Sequence, residues 1–194
     1  MRKTVGFIKV SLPFAAWITL WLYCDKSGGA VYSLSAAAFH ECGHLLALFL
    51  LGEKPRRLLV SFFGMRLERV EQTSLSYGRE ALLYAAGPVA NGLLALLFSG
   101  LSGRAPALAR GVRANVLLCL FNLLPLRPTD GGQILYALLC RCVSPQKAAR
   151  ICKRTAACGA VPLAALSIFA CIRYGWNQSL VWSSLYVAFV VVLP

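Results

Sequence analysis

Acid and imidazole are what this sequence has least of: seven Asp and Glu and two His in 194 residues, against 20 Lys and Arg. Charged side chains make up 14% of the chain, where a soluble domain carries about 25%. Apolar residues reach 58%, more than one soluble core of this size can hide. That balance excludes an ordinary soluble enzyme and leaves a polytopic membrane protein. There is no internal repeat, and no cysteine spacing of the usual zinc patterns. Cys24, Cys42, Cys119, Cys158 and Cys171 lie in apolar stretches, where Cys acts as a small hydrophobe. Cys140, Cys142 and Cys152 fall on the expected cytoplasmic side, where thiols stay reduced. The eight cysteines therefore do not read as a disulfide framework.

A helix needs about 20 apolar residues to cross a bilayer. Six stretches qualify, at residues 5–24, 31–51, 80–100, 108–126, 154–172 and 176–193. Gly132–Val143 is apolar but too short to span unaided. Met1–Cys24 has no clear small-residue cleavage site and reads as a retained first helix rather than a signal peptide. The expected fold is an all-α polytopic membrane protein of about six transmembrane helices, one domain over residues 1–194. After the second span, Leu58–Phe63 is rich in strand formers, Gly64 offers a turn and Met65–Glu71 alternates. This reads as a short membrane-associated β-hairpin, with an irregular loop as the even alternative. Either strand offers an edge on which an extended substrate could pair.

A net charge of +13 would suit nucleic acid, but its distribution does not. Arg2 and Lys3 precede the first span; Lys54, Arg56, Arg57, Arg66, Arg69 and Arg79 lie between the second and third; Lys147, Arg150, Lys153 and Arg154 precede the fifth. Cations in alternate connections put the N-terminus, the long second loop and the C-terminus in the cytoplasm. The partners implied are a lipid bilayer, with anionic headgroups at the basic loops, and no nucleic acid.

The second span contains His40-Glu41-Cys42-Gly43-His44. Residues four apart share a helix face, so both imidazoles can reach one metal ion. Glu41 lies about 100° round from His40, where it can meet a metal-bound water. Two zinc ligands and a general base is the reading of this arrangement. These are the chain's two histidines, and each ionisable group in an apolar span costs at least ~2.5–3.5 kcal/mol. Interhelical packing of a histidine pair gives no reason to add the acid.

A catalytic zinc normally takes three protein ligands and a water. Among the seven acids, Asp25, Glu53, Glu68 and Glu71 lie in loops and Glu80 at the start of the third span, leaving Asp130 as the best third ligand. It closes Phe121-Asn122-Leu123-Leu124-Pro125-Leu126-Arg127-Pro128-Thr129-Asp130-Gly131, where two prolines break the helix and glycine permits a tight turn. A broken segment in a membrane must line a cavity or pack on protein. The alternative role for Asp130 is to cap a helix over Gly131–Val143. Topology agrees with ligation. The second and fourth spans both run inward, so His44 and Asp130 reach the same side.

These motifs, with Gly87-Pro88-Val89-Ala90-Asn91 in the third span and Asn122-Leu123-Leu124-Pro125, resemble the site-two protease family of intramembrane zinc metalloproteases, over roughly Val31 to Leu139. The compact form is similar to its sporulation-factor-processing branch. The resemblance implies one Zn2+ per chain held by His40, His44 and Asp130, Glu41 as base, and Asn122 holding substrate backbone. It implies membrane-tethered regulatory proteins as substrates in a bacterial cell membrane, with the active-site opening toward the cytoplasm and a regulatory membrane protein as a further partner. Asn122 otherwise makes an interhelical hydrogen bond. Gly87 and Pro88 read as structural, Asn91 as bonding a neighbour and Asn115 as packing. Cys42 and Thr129 depart from the apolar residues usual there, and no CBS domain follows the spans. The competing class is a non-catalytic zinc-binding membrane protein or metal transporter, which would want several weak sites along a path and no base beside them.

Overall fold

The computed structural model describes residues 8–10, 12–26, 28–53, 55–61, 64–69, 75–103, 105, 107–126 and 129–174. The described residues form a small sheet and six helices, in the order β1 (Ile8–Val10), α1 (Leu12–Cys24), α2 (Gly29–Leu50), β2 (Pro55–Ser61), β3 (Gly64–Arg69), α3 (Tyr77–Leu101), α4 (Leu108–Asn122), α5 (Asp130–Cys140) and α6 (Pro145–Tyr174). They group into two compact units. The first is Met1–Leu75 with Ala86–Cys119, the second Ser76–Ala85 with Leu120–Pro194.

In the first unit α2 runs unbroken for 22 residues, about 33 Å at 1.5 Å per residue. The Asp25 carboxylate accepts the Ala30 N–H at its start. At its end Gly52 takes φ 75°, a conformation that favours glycine. The Gly52 and Glu53 amides then return to the Phe49 and Leu48 carbonyls, the Schellman pattern of a glycine-terminated helix. The helix buries Ala36, His40, His44 and Leu48. That four-residue stripe carries both histidines inward.

α2 and α3 are long and apolar enough to cross a membrane. Their outward surfaces are apolar: Phe49 is 78% exposed, Leu50 75% and Leu96 70%, with Leu46, Leu82, Leu93 and Leu97 also exposed. So many exposed leucine and phenylalanine side chains on two such helices suit a surface solvated by lipid rather than water.

The first span expected at 5–24 is corrected. Ile8–Val10 pairs in parallel with Leu58–Val60, and α1 has only 13 residues, about 20 Å and short of a ~30 Å hydrocarbon core. The sheet takes residues that periodicity alone assigns to a helix. Strand order is β1-β2-β3, and β2 pairs antiparallel with β3, from Pro55 opposite Arg69 to Ser61 opposite Gly64. β2 is therefore central, and the edge expected over Leu58–Phe63 is already occupied. Within the described sheet β3 pairs on one side only. Residues 62–63 and 70–71 of the expected strands, and the whole sixth span at 176–193, lie outside the described residues.

In the second unit α4 ends at Asn122 and the chain turns through residues described at 123–126 and 129 before α5 begins at Asp130. α6 starts well before the expected 154, at Pro145. Proline suits the first turn of a helix, where its missing N–H has no intrahelical partner to lose. The described cysteines are all free thiols.

Candidate metal centre

The first unit brings the two imidazoles edge to face, their planes at 83°. The Nε2 atoms of His40 and His44 stand 3.1 Å apart, both residues being buried. Two nitrogens each about 2.0–2.1 Å from one tetrahedral zinc lie about 3.3 Å apart. The pair thus has the spacing that a shared ion requires. Cys42, on the same helix, is exposed.

The opposing wall is α3 at Gly87. A Cβ there would lie 2.7 Å from Cε1 and Nε2 of His40 and closer still to Nε2 of His44. The bare backbone keeps open the space that the two nitrogens address. The same approach is tight one turn away, where a Cβ on Gly43 would meet the Ala86 carbonyl oxygen at 2.6 Å and the Ala90 Cβ at 2.8 Å. Small residues at a helix crossing let backbones approach in this way. Gly87 is therefore part of the site rather than only of the helix packing.

His40 is oriented through its other nitrogen. Its Nδ1 meets Oδ1 of Asn91 at 2.7 Å. Asn91 Nδ2 donates to the Ala36 carbonyl and to Oδ1 of Asn115, each at 2.9 Å. Asn115 Nδ2 donates to the Gly111 carbonyl, also at 2.9 Å. Asn91 is fully buried and Asn115 is 2% exposed. Sequence reasoning gave Asn91 an unnamed neighbour and Asn115 only packing. The available signal was that His40, Asn91 and Asn115 are polar residues well inside three apolar stretches, and such residues in a membrane find each other.

Asp130 belongs to the second unit, as the first residue of α5. The cap position falls to Thr129, in extended backbone at φ −89°, ψ 161°, with no side-chain cap bond. Its hydroxyl turns back instead, to the Leu126 and Leu124 carbonyls. The capping role considered for Asp130 is thus not the one it occupies. One Asp130 carboxylate oxygen, Oδ2, is buried. Gly131 is required beside it, because a Cβ would meet the Leu123 carbonyl group and the Leu124 carbonyl oxygen at 2.6 Å. His40 and His44 offer two imidazole donors in the first unit and Asp130 a carboxylate in the second, and two imidazoles with one carboxylate suit zinc. Glu41 is half-buried on α2 and Asn122 half-buried at the end of α4.

No protein-family model matches this sequence, and no curated protein sequence matches it. Among solved structures, the Site-2 Protease from Methanocaldococcus jannaschii is similar, with a TM-score of 0.64 and 20% sequence identity over 97% of this chain and 91% of that one. This is the site-2 protease fold. In this chain the site-2 protease fold carries a histidine pair at metal-sharing distance on α2, with glycine facing it from α3.

Proposed function

We propose that the chain is an intramembrane zinc metalloprotease of the site-2 type, hydrolysing peptide bonds of membrane-tethered regulatory proteins within or near the bilayer. The observation that carries this reading is the paired Nε2 atoms at 3.1 Å, one residue from a glutamate, on an apolar helix of a site-2 protease fold.

His40, His44 and Asp130 would hold the zinc. The bound ion would supply Lewis acidity, acidifying water and polarising the scissile carbonyl. Glu41, next to His40 in sequence and about 100° round the helix, takes the proton of the attacking water and then passes it to the leaving amine. Asn122 holds the substrate backbone. A substrate helix hides its carbonyls, so cleavage needs an extended segment, and pairing on β3 is one way to provide it.

Residues 1–194 are read as a catalytic domain similar to the sporulation-factor-processing branch. It lies in a bacterial cell membrane with its opening toward the cytoplasm. A transporter would need a succession of weak sites and has no use for a base beside the ligands, so it is the weaker reading. Co-expression of membrane-tethered transcription-factor precursors with the wild type and with Glu41→Gln tests the proposal. Cleavage should appear only with the wild type, while both proteins retain one zinc per chain. Equal cleavage by the two would remove Glu41 from the role of base.

A further inference from the structure

The buried asparagines of the first unit have a polarity fixed at both ends. A backbone carbonyl can only accept a hydrogen bond. The Gly111 carbonyl therefore faces Nδ2 of Asn115, which turns Oδ1 of Asn115 toward Asn91. The Ala36 carbonyl likewise faces Nδ2 of Asn91. Both amide protons of Asn91 are then committed, to Ala36 and to Asn115, and what it presents to His40 is Oδ1 at 2.7 Å. An amide oxygen has no proton to give. The proton in that bond must be on Nδ1 of His40.

A neutral imidazole protonated at Nδ1 carries its lone pair at Nε2. That is the atom which stands 3.1 Å from Nε2 of His44. We infer that Asn91, itself oriented by Asn115, is a positioning residue that fixes His40 as the Nδ1–H tautomer and aims its Nε2 at the metal. The inference rests on the zinc-site reading above for its consequence, but its first half concerns the protonation of one ring and stands without a metal. The competing role is plain interhelical bonding, in which Asn91 joins α2, α3 and α4 and the identity of the atom facing His40 is immaterial.

The two roles diverge on substitution. Asn91→Leu keeps similar volume and removes the acceptor. Asn91→Asp keeps an acceptor toward His40 but loses the donors to Ala36 and Asn115. Asn115→Leu leaves the His40–Asn91 contact in place and releases the amide to turn over. Partners of metal-binding histidines typically contribute about 10–100-fold to metal affinity. Zinc affinity of the purified full-length chains is to be measured by competition with a chelator. Asn91→Leu should weaken it 10–100-fold, Asn91→Asp should stay within a few-fold of wild type, and Asn115→Leu should fall between them, ranges taken from that same effect.

The second readout is 15N NMR of histidine-labelled full-length protein. With two histidines in the chain, each ring nitrogen can be resolved. One histidine should show a protonated Nδ1 in the wild type, and lose that preference in Asn91→Leu. Wild-type zinc affinity in Asn91→Leu, or an Asn91→Asp protein as weak as Asn91→Leu, overturns the inference in favour of interhelical bonding. If Asn91→Leu does not fold, Asn115→Leu and the wild-type spectrum decide, and a wild-type His40 protonated at Nε2 refutes it outright. A wild type that binds no zinc yet shows the Nδ1–H ring would instead sink the metalloprotease reading alone.

Discussion

Two glycines on α3 make a controlled comparison. Gly87 and Gly92 both lie inside the helix, and replacing either by alanine removes the same backbone penalty, about 0.8–1 kcal/mol. Their surroundings differ. At Gly92 an added Cβ meets nothing within 4 Å, whereas at Gly87 it lies 2.7 Å from Nε2 and Cε1 of His40. Ordinary contact begins at 3.4 Å, so the His40 ring must retreat by about 0.7 Å to relieve the repulsion. His44, closer still, must move further. A metal site tolerates deviations of about 0.2 Å in ligand distance. Overpacking typically costs about 1–3 kcal/mol, so the helix gain at Gly87 is offset or exceeded. Gly87→Ala should therefore lose zinc while remaining folded or mildly destabilised. Gly92→Ala should keep one zinc and gain up to about 1 kcal/mol in stability. Elemental analysis of the purified variants, with thermal unfolding beside it, reads both quantities. Full zinc occupancy and normal turnover in Gly87→Ala would mean that the nitrogens facing Gly87 are not the ones that bind the ion.

Asp130→Asn should lower both zinc content and turnover, because a neutral amide is a poor ligand, whereas Cys42→Ala, at an exposed position on the far side of α2, should change neither; full zinc in the first or loss in the second would reassign the third ligand. Reporters fused after Leu51 and after Val143 should read cytoplasm and one near Ser102 the opposite side, and a cytoplasmic signal at Ser102 would undo the topology. Proline scanned through β3, Gly64–Arg69, should lower cleavage at positions whose N–H points off the sheet while zinc content stays normal. No effect along the strand would remove it as a substrate-pairing edge.

How much of this was legible beforehand depends on whether the cause was local. The bounds of α2 and α3 follow from apolar runs with glycine, proline and acid at their ends, and the expected 31–51 and 80–100 fall within three residues of the observed 29–50 and 77–101. The N-terminal stretch departs from the expected span because Ile8–Val10 pairs with Leu58–Val60, fifty residues along the chain. No local pattern in Ile8–Val10 announces that partner. At the start of α5 the question was one of a single residue. Thr129 and Asp130 are both good cap formers, and only the backbone decides that Thr129 takes the cap and Asp130 the first helical position.

The histidine pair was legible from spacing, but its support was not, and the reason lies in the solvent. A metal-binding histidine is commonly held by a carboxylate or a backbone carbonyl. Here a carboxylate inside an apolar span would cost at least ~2.5–3.5 kcal/mol. An amide gives the same acceptor without the charge. It carries two donors as well, and an amide left with unmet donors in hydrocarbon is itself costly. Asn91 meets that demand with one carbonyl and a second asparagine, and Asn115 passes it on to Gly111. The second asparagine thus follows from choosing the first. The buried support of His40 is thus built from neutral groups alone among the contacts described, two amides and two backbone carbonyls.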